Sequence, residues 1–179
     1  MSILAASPHG GPTQVKRGWD MSTVKLQQAA TPTLIAQARC LFREYRDCIR
    51  IDEWFPDFER ELDNLPVPYA PPTGRLLVGC FDGKPAGCIA FQPAGVEGTC
   101  EMKRLFVRPE YRGMKLGRSL AELLIVEAGN AGYRSMRLGM IPSMKEAMSL
   151  YTSMGFREIP AYRECGCTGT VYLELQLQP

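Results

Sequence analysis

The chain has a single histidine, His9, set in a Pro/Gly-containing opening segment without a regular period. With no imidazole placed inside the fold, Ser-His-Asp and Cys-His catalysis are excluded, since each needs one as its base. There is no run of about 18 apolar residues and no charged start before an apolar stretch, so neither a membrane span nor a secretory signal is supported. An excess of one charge is also missing. The 21 Lys and Arg face 19 Asp and Glu, and a net charge near +2 makes no field that would gather nucleic acid or an anionic membrane. Of the seven cysteines only Cys165 and Cys167 lie close together. A lone C-x-C without a second pair or histidines is a poor zinc site, so no metal is expected. Most of the other cysteines sit in apolar stretches, where Cys packs as a small hydrophobe; their odd number reads as reduced thiols and a cytoplasmic protein.

What is present is the material of one core. A chain of 179 residues, 45% hydrophobic and 22% charged, is long enough for one domain and too short for two. Residues 1–20 read as a disordered extension and 21–179 as the domain. Val24 and Leu26 begin a short strand that stops at Thr31-Pro32, an N-cap and first-turn pair. Leu34, Ala38, Leu41, Tyr45 and Cys48 then form one helical stripe. Phe55, Phe58, Leu62 and Leu65 predict a second, shorter helix opened by Pro56, and the prolines up to Pro72 predict a loop. Arg75–Phe81 and Ala86–Phe91, joined through Asp82-Gly83, predict a hairpin. A strand over Cys100–Val107, a helix over Leu116–Ala128 and a strand over Met136–Met140 predict a parallel crossover. A helix marked by Met144, Ala147, Leu150, Tyr151 and Met154 ends at Gly155, and strands over Phe156–Tyr162 and Val171–Leu177 close an α/β mixed sheet.

The strand-to-helix junction Arg112-Gly113-Met114-Lys115-Leu116-Gly117-Arg118-Ser119 carries chemistry. Unpaired N–H groups and the positive end of the helix dipole favour phosphate, and Gly113 and Gly117 allow close approach of a pyrophosphate. Arg112, Lys115 and Arg118 add charge. An ordinary capped helix with a solvated basic first turn fits these residues equally well.

Two motifs in register decide between the readings. The stretch RGMKLG resembles the cofactor motif of the GNAT superfamily of N-acetyltransferases, with Lys115 where the inner glycine usually lies. Ala147-Met-Ser-Leu-Tyr-Thr-Ser-Met-Gly-Phe156 resembles that family's A-x-x-L-Y-x-x-x-G-F helix end. The likeness covers roughly residues 23–177. It implies one α/β domain: a mixed, mostly antiparallel sheet whose central parallel strand pair splays, flanked by about four helices.

The resemblance also implies acetyl-CoA as cosubstrate and direct transfer of its acetyl group to a primary amine on a small molecule, amino acid or peptide. Backbone groups near Leu105, Phe106 and Val107 would meet the pantetheine arm and the acyl oxygen. Tyr151 would protonate the departing thiolate, although its place on an apolar stripe also suits a core aromatic. Glu101 is the candidate base, acting through water, and a carboxylate between apolar neighbours would favour its proton; it equally suits solvent or pairing with Lys103. The two early helices would choose the acceptor. There Asp52, Glu53, Asp57, Glu59, Glu61 and Asp63, with Trp54, Phe55 and Phe58, form either an acidic wall for a cationic amine or a solvated helix face. No metal, nucleic acid or membrane enters this expectation, and the protein would be a monomer or homodimer. Lys115, and Met144 where the family carries an asparagine, leave open a second class, a non-catalytic sensor that binds acyl-CoA.

Overall fold

Two elements at the start of the domain form where local chemistry requires them. Thr31 Oγ1 accepts the Leu34 N–H at 3.3 Å and Pro32 takes the first helical position, so α1 spans Pro32–Ile49. Asp82 (φ 48°) and Gly83 (φ 78°) both turn left-handed, the geometry that joins β3 (Arg75–Phe81) to β4 (Lys84–Pro93) without splaying them. The computed structural model describes residues 13–15, 24–51, 57–163 and 167–177. The other strands are β1 (Thr13–Val15), β2 (Val24–Gln28), β5 (Thr99–Val107), β6 (Ser135–Met140), β7 (Arg157–Ile159) and β8 (Val171–Gln176). The other helices are α2 (Phe58–Asp63), α3 (Leu116–Asn130) and α4 (Lys145–Ser153).

The strands form one sheet in the order β1-β2-β3-β4-β5-β6-β8-β7, and only β5 and β6 run parallel. This is the expected mixed sheet with a central parallel pair. Among the described residues no helix is long and apolar enough to cross a membrane.

The core is double. On one face α1 and α2 pack Ala38, Leu41, Phe42, Tyr45, Phe58 and Leu62 against Leu76, Val78, Cys88 and Ala90. On the other, α3 and α4 set Leu116, Leu120, Leu124 and Tyr151 over Leu77, Ile89, Met102, Met136 and Leu138. Strand residues alternate between these clusters with the period of two that a pleated strand imposes.

Four expectations need correction. Phe42, not Cys48, completes the inward stripe of α1, at the i, i+3, i+4, i+7 spacing of Ala38, Leu41, Phe42 and Tyr45; Cys48 is exposed because the last turn overhangs a cavity instead of the sheet. The strand foreseen to Tyr162 ends at Ile159, where Pro160 has no N–H to continue a ladder. Within the 1–20 extension, Thr13–Val15 pairs antiparallel with β2, Thr13 opposite Leu26. The rest of that extension, His9 included, lies outside the described residues, as do Cys165 and the residues 52–56 that hold Trp54, Phe55 and Pro56. The proline-rich segment contains a 3-10 turn, Val67–Tyr69, whose Tyr69 is buried.

The irregularity that matters lies in β5. Cys88 of β4 faces Phe106 and Ala90 faces Lys103, so Ile89 alone stands opposite both Arg104 and Leu105. Arg104 takes φ 59° to absorb the extra residue. Such an insertion flips the alternation. Before it Cys100 and Met102 face α3, and after it Phe106 faces α1.

Candidate active site

A cavity of about 1000 Å³ opens where β5 and β6 part. Their parallel ladder holds only at Thr99↔Ser135, Cys100↔Met136 and Glu101↔Arg137, yet β5 continues to Val107 and β6 to Met140. The strands therefore splay beyond Glu101. Main-chain groups of Leu105, Phe106 and Val107 border the opening, and all three residues line it.

At one end the cavity meets the start of α3. The first N–H bonded inside this helix belongs to Ser119, which reaches the Lys115 carbonyl at 3.0 Å. The N–H groups of Leu116, Gly117 and Arg118 precede it and have no carbonyl of their own helix to bond. Lys115 caps the helix in the left-handed conformation, φ 61° and ψ 12°, without a side-chain cap bond, and Gly113 is also left-handed at φ 77°. A Cβ at Gly113 would meet nothing and one at Gly117 only Val107 at 3.6 Å, so Gly113 serves the backbone path and not a tight contact. Arg112 bonds the Val107 carbonyl through Nε at 3.1 Å, and Arg118 reaches Ser153 of α4. Of the expected cofactor residues, Leu105, Phe106, Val107, Arg112, Gly113, Lys115, Leu116, Gly117 and Arg118 line the cavity, whereas Met114 faces out at 45% exposure and Ser119 lies behind the first turn. The alternation of a short loop explains this: Met114 is between two left-handed residues and its side chain is turned away.

Tyr151 lines the same cavity from α4. Its ring is buried and packs on Phe156 at 5.5 Å, so the core reading of this residue is correct for the ring. Among the described residues its hydroxyl has no hydrogen-bond partner, and the residue borders the cavity. Burial, and to a lesser degree Tyr45, pushes its phenol well above the ordinary value, so it stays protonated and able to donate.

The other end is polar. Glu101 is 6% exposed, but its surroundings are not apolar: Oε1 accepts the Tyr162 hydroxyl at 3.0 Å and meets Arg163 Nη2 at 3.0 Å, while Oε2 faces Lys103 Nζ at 3.5 Å. The expected carboxylate among apolar neighbours is thus corrected to a carboxylate between two cations and a phenol. Burial lowers the affinity of Lys103 for its proton, and Glu101 only partly opposes this. Beside it Arg104 reaches across to both carboxylate oxygens of Glu61 on α2, which also accepts the Tyr69 hydroxyl. Glu61 is accordingly neutralised. Glu59 pairs with Arg46 at 2.8 Å and, like Asp57 and Asp63, is exposed. Among the described residues the acidic wall is therefore a solvated face, and the cavity end it was to border carries more cations than carboxylates.

Lys103 was foreseen as a partner of Glu101 and stands there; Arg104, Tyr162 and Arg163 escaped sequence reasoning. A signal was available for Arg104: in E-M-K-R-L-F-V, the adjacent Lys103 and Arg104 break the alternation, as a bulge would.

The structure and sequence resemble known proteins in one direction. The Acetyltransferase (GNAT) family model matches residues 37–156. An uncharacterized N-acetyltransferase of Schizosaccharomyces pombe is 35% identical over 157 residues, 87% of this chain and 96% of its own length. A GNAT-family acetyltransferase from Staphylococcus aureus shares the fold with a TM-score of 0.71 at 18% identity, over 87% of this chain and 99% of that one. An aminoglycoside 6'-N-acetyltransferase complexed with coenzyme A also shares it, with a TM-score of 0.66 at 14% identity over 86% of this chain and 97% of that one.

Proposed function

Because this chain belongs to the GNAT acetyltransferase family, an enzyme family, we propose that it moves an acetyl group from acetyl-CoA directly to a primary amine, in the cytoplasm. The observation that carries the reading is a single cavity joining three features: an α3 start with unpartnered N–H groups, the β5–β6 splay, and Tyr151 at its border. The first fits a pyrophosphate, since three N–H groups and Arg112, Lys115 and Arg118 converge there. The splayed edge of β5 offers main-chain donors to an acyl oxygen, which is where charge develops in acyl transfer. Tyr151 holds a proton at its hydroxyl for the departing thiolate.

Glu101 has a more restricted part. Tyr162 and Arg163 occupy one of its oxygens and Lys103 faces the other, so it anchors Lys103 and Arg163 rather than taking the amine's proton, which leaves by solvent at the open cavity. A non-catalytic acyl-CoA sensor finds no support in the relatives, which bear transferase names. The test is Tyr151→Phe assayed for free-thiol release with acetyl-CoA and a panel of amines. A fall of about tenfold or more in kcat with near-unchanged acetyl-CoA KM is expected; full turnover would remove Tyr151 from the mechanism.

A further inference from the structure

The polar end of the cavity holds a charge pattern that acetyl transfer alone does not require. The bulge at Arg104 and Leu105 directs Lys103 and Arg104 to the same face of the sheet, the α1/α2 face, where an acceptor entering opposite the α3 loop would lie. Five charged groups meet there: Lys103, Arg104, Arg163, Glu61 and Glu101. Arg104 and Glu61 satisfy one another. Glu101 is left to balance both Lys103 and Arg163, one carboxylate between two cations.

The surplus is only partly solvated: the Arg163 side chain is 39% exposed, but that of Lys103 is not. The Lys103 side chain is 22% exposed, and its described ion pair is the 3.5 Å approach to Glu101, too long for a strong hydrogen bond. An ammonium has three donors to place, and burying it with a half-share of one carboxylate costs stability. The phosphates do not account for it. Their cradle at Arg112–Arg118 begins beyond Val107, roughly 13 Å along β5 from Lys103 at the rise of a strand.

We infer that the acceptor amine carries a carboxylate, as an amino acid does, and that Lys103 and Arg163 bind that group. This rests on the acetyltransferase reading above and specifies its acceptor. Arg163 offers a planar fork that matches a carboxylate, and Lys103 offers a point charge beside it. Tyr162 and Glu101 hold the two cations in place as positioning residues: Tyr162 bonds Glu101, and the Arg137 guanidinium lies 5.3 Å over the Tyr162 ring. The amine of the same molecule is then directed toward the splay, where β5 leaves β6. An acidic amino acid and a neutral one share this chemistry, and the assay separates them.

The experiment compares matched acceptors, each amino acid against its decarboxylated amine and its carboxamide, by thiol release from acetyl-CoA. The carboxylate member of a pair should have kcat/KM on the order of ten- to a hundredfold higher, the range of a charge-assisted hydrogen bond to a fixed site. Lys103→Met and Arg163→Met should each remove most of that preference, read as the ratio of kcat/KM between the two members of a pair, by raising the KM of the amino acid. Lys103→Arg should restore part of it. Equal rates for acid and amine, or a preference that survives both substitutions, would overturn the inference and leave the acetyltransferase intact. Acetyl-CoA consumption with none of the amines would instead reject the reading on which it rests.

Discussion

Replacing Lys115 by glycine should make the protein more stable and a weaker binder of acetyl-CoA. Lys115 sits at φ 61°, ψ 12° as the N-cap of α3. A left-handed conformation costs a residue with a Cβ about 1–2 kcal/mol. Glycine escapes that cost but gives the unfolded chain extra freedom worth about 0.4–1 kcal/mol. The net gain is about 0.5–1 kcal/mol, or a melting temperature higher by about 1–4 °C for a domain of this size. Binding should move the other way. The backbone of Lys115 already follows the path a glycine would take, so the substitution adds no new loop shape and removes one exposed positive charge from the proposed phosphate cradle. Such a contact is worth about 1 kcal/mol at low salt, hence about fivefold in Kd. Lys115→Ala separates the effects: it loses the same charge and keeps the strained backbone, so it should bind like the glycine variant without the thermal gain. Melting curves without ligand and calorimetric titration of acetyl-CoA at two salt concentrations read both quantities. A glycine variant that melts lower, or binds acetyl-CoA more tightly, would refute the reasoning.

Three further outcomes test other parts of the molecule. Gly87→Ala would place a Cβ 2.6 Å from the Phe106 carbonyl oxygen, and a main-chain atom in a sheet cannot yield cheaply; a loss of about 2–3 kcal/mol in urea unfolding is expected. Burial pushes the Glu61 carboxyl up, but the Arg104 and Tyr69 hydrogen bonds and the charges of Arg104 and Lys103 outweigh it and hold the group below 4.5. Its stabilisation is therefore complete above pH 4.5 and is lost as pH falls through the lower folded value, so wild type should lose its advantage over Glu61→Gln in that window and keep it at pH 7. Glu101→Gln should keep the acid-side limb of the kcat/KM profile and alter chiefly the acceptor KM; disappearance of that limb would reinstate Glu101 as the base.

Much of the fold was legible because its signals are local. The Thr31-Pro32 start, the Asp82-Gly83 turn and the Leu116, Leu120, Leu124 stripe are each settled by neighbours within a few residues, and the structure keeps all of them. The start of α3 at Leu116 was legible for the same reason. The acceptor end was not. Glu101 reads as a candidate base that equally suits solvent or Lys103 until Arg163, from the segment after β7, is brought against it. Glu61 reads as part of an acidic run until Arg104, 43 positions later, reaches it. Charge balance at such a place is a property of tertiary pairing, and spacing along the chain carries no record of which acid finds which base.

One extra residue in β5 joins these points. With strict alternation through Leu105, Lys103 and Arg104 would face opposite sides of the sheet, and Phe106 would turn from α1 toward α3. The insertion opposite Ile89 instead places both cations on the α1/α2 face and sends Phe106 into the α1 core beside Tyr45, with ring centroids 5.9 Å apart. It lies just past the last β5–β6 pair, so the strand that opens the cavity is also the one whose charges line it. A variant that deletes Arg104 should therefore do more than remove a charge. It should restore regular pairing, with Ile89 opposite Leu105 alone and Phe106 still opposite Cys88 on the α1 face, and by straightening the strand draw Lys103 and the splayed edge out of place. Stability and turnover should fall together, whereas Arg104→Gly, which suits φ 59° and keeps the insertion, should retain the strand register and lose the Glu61 pair and the Phe58 ring contact.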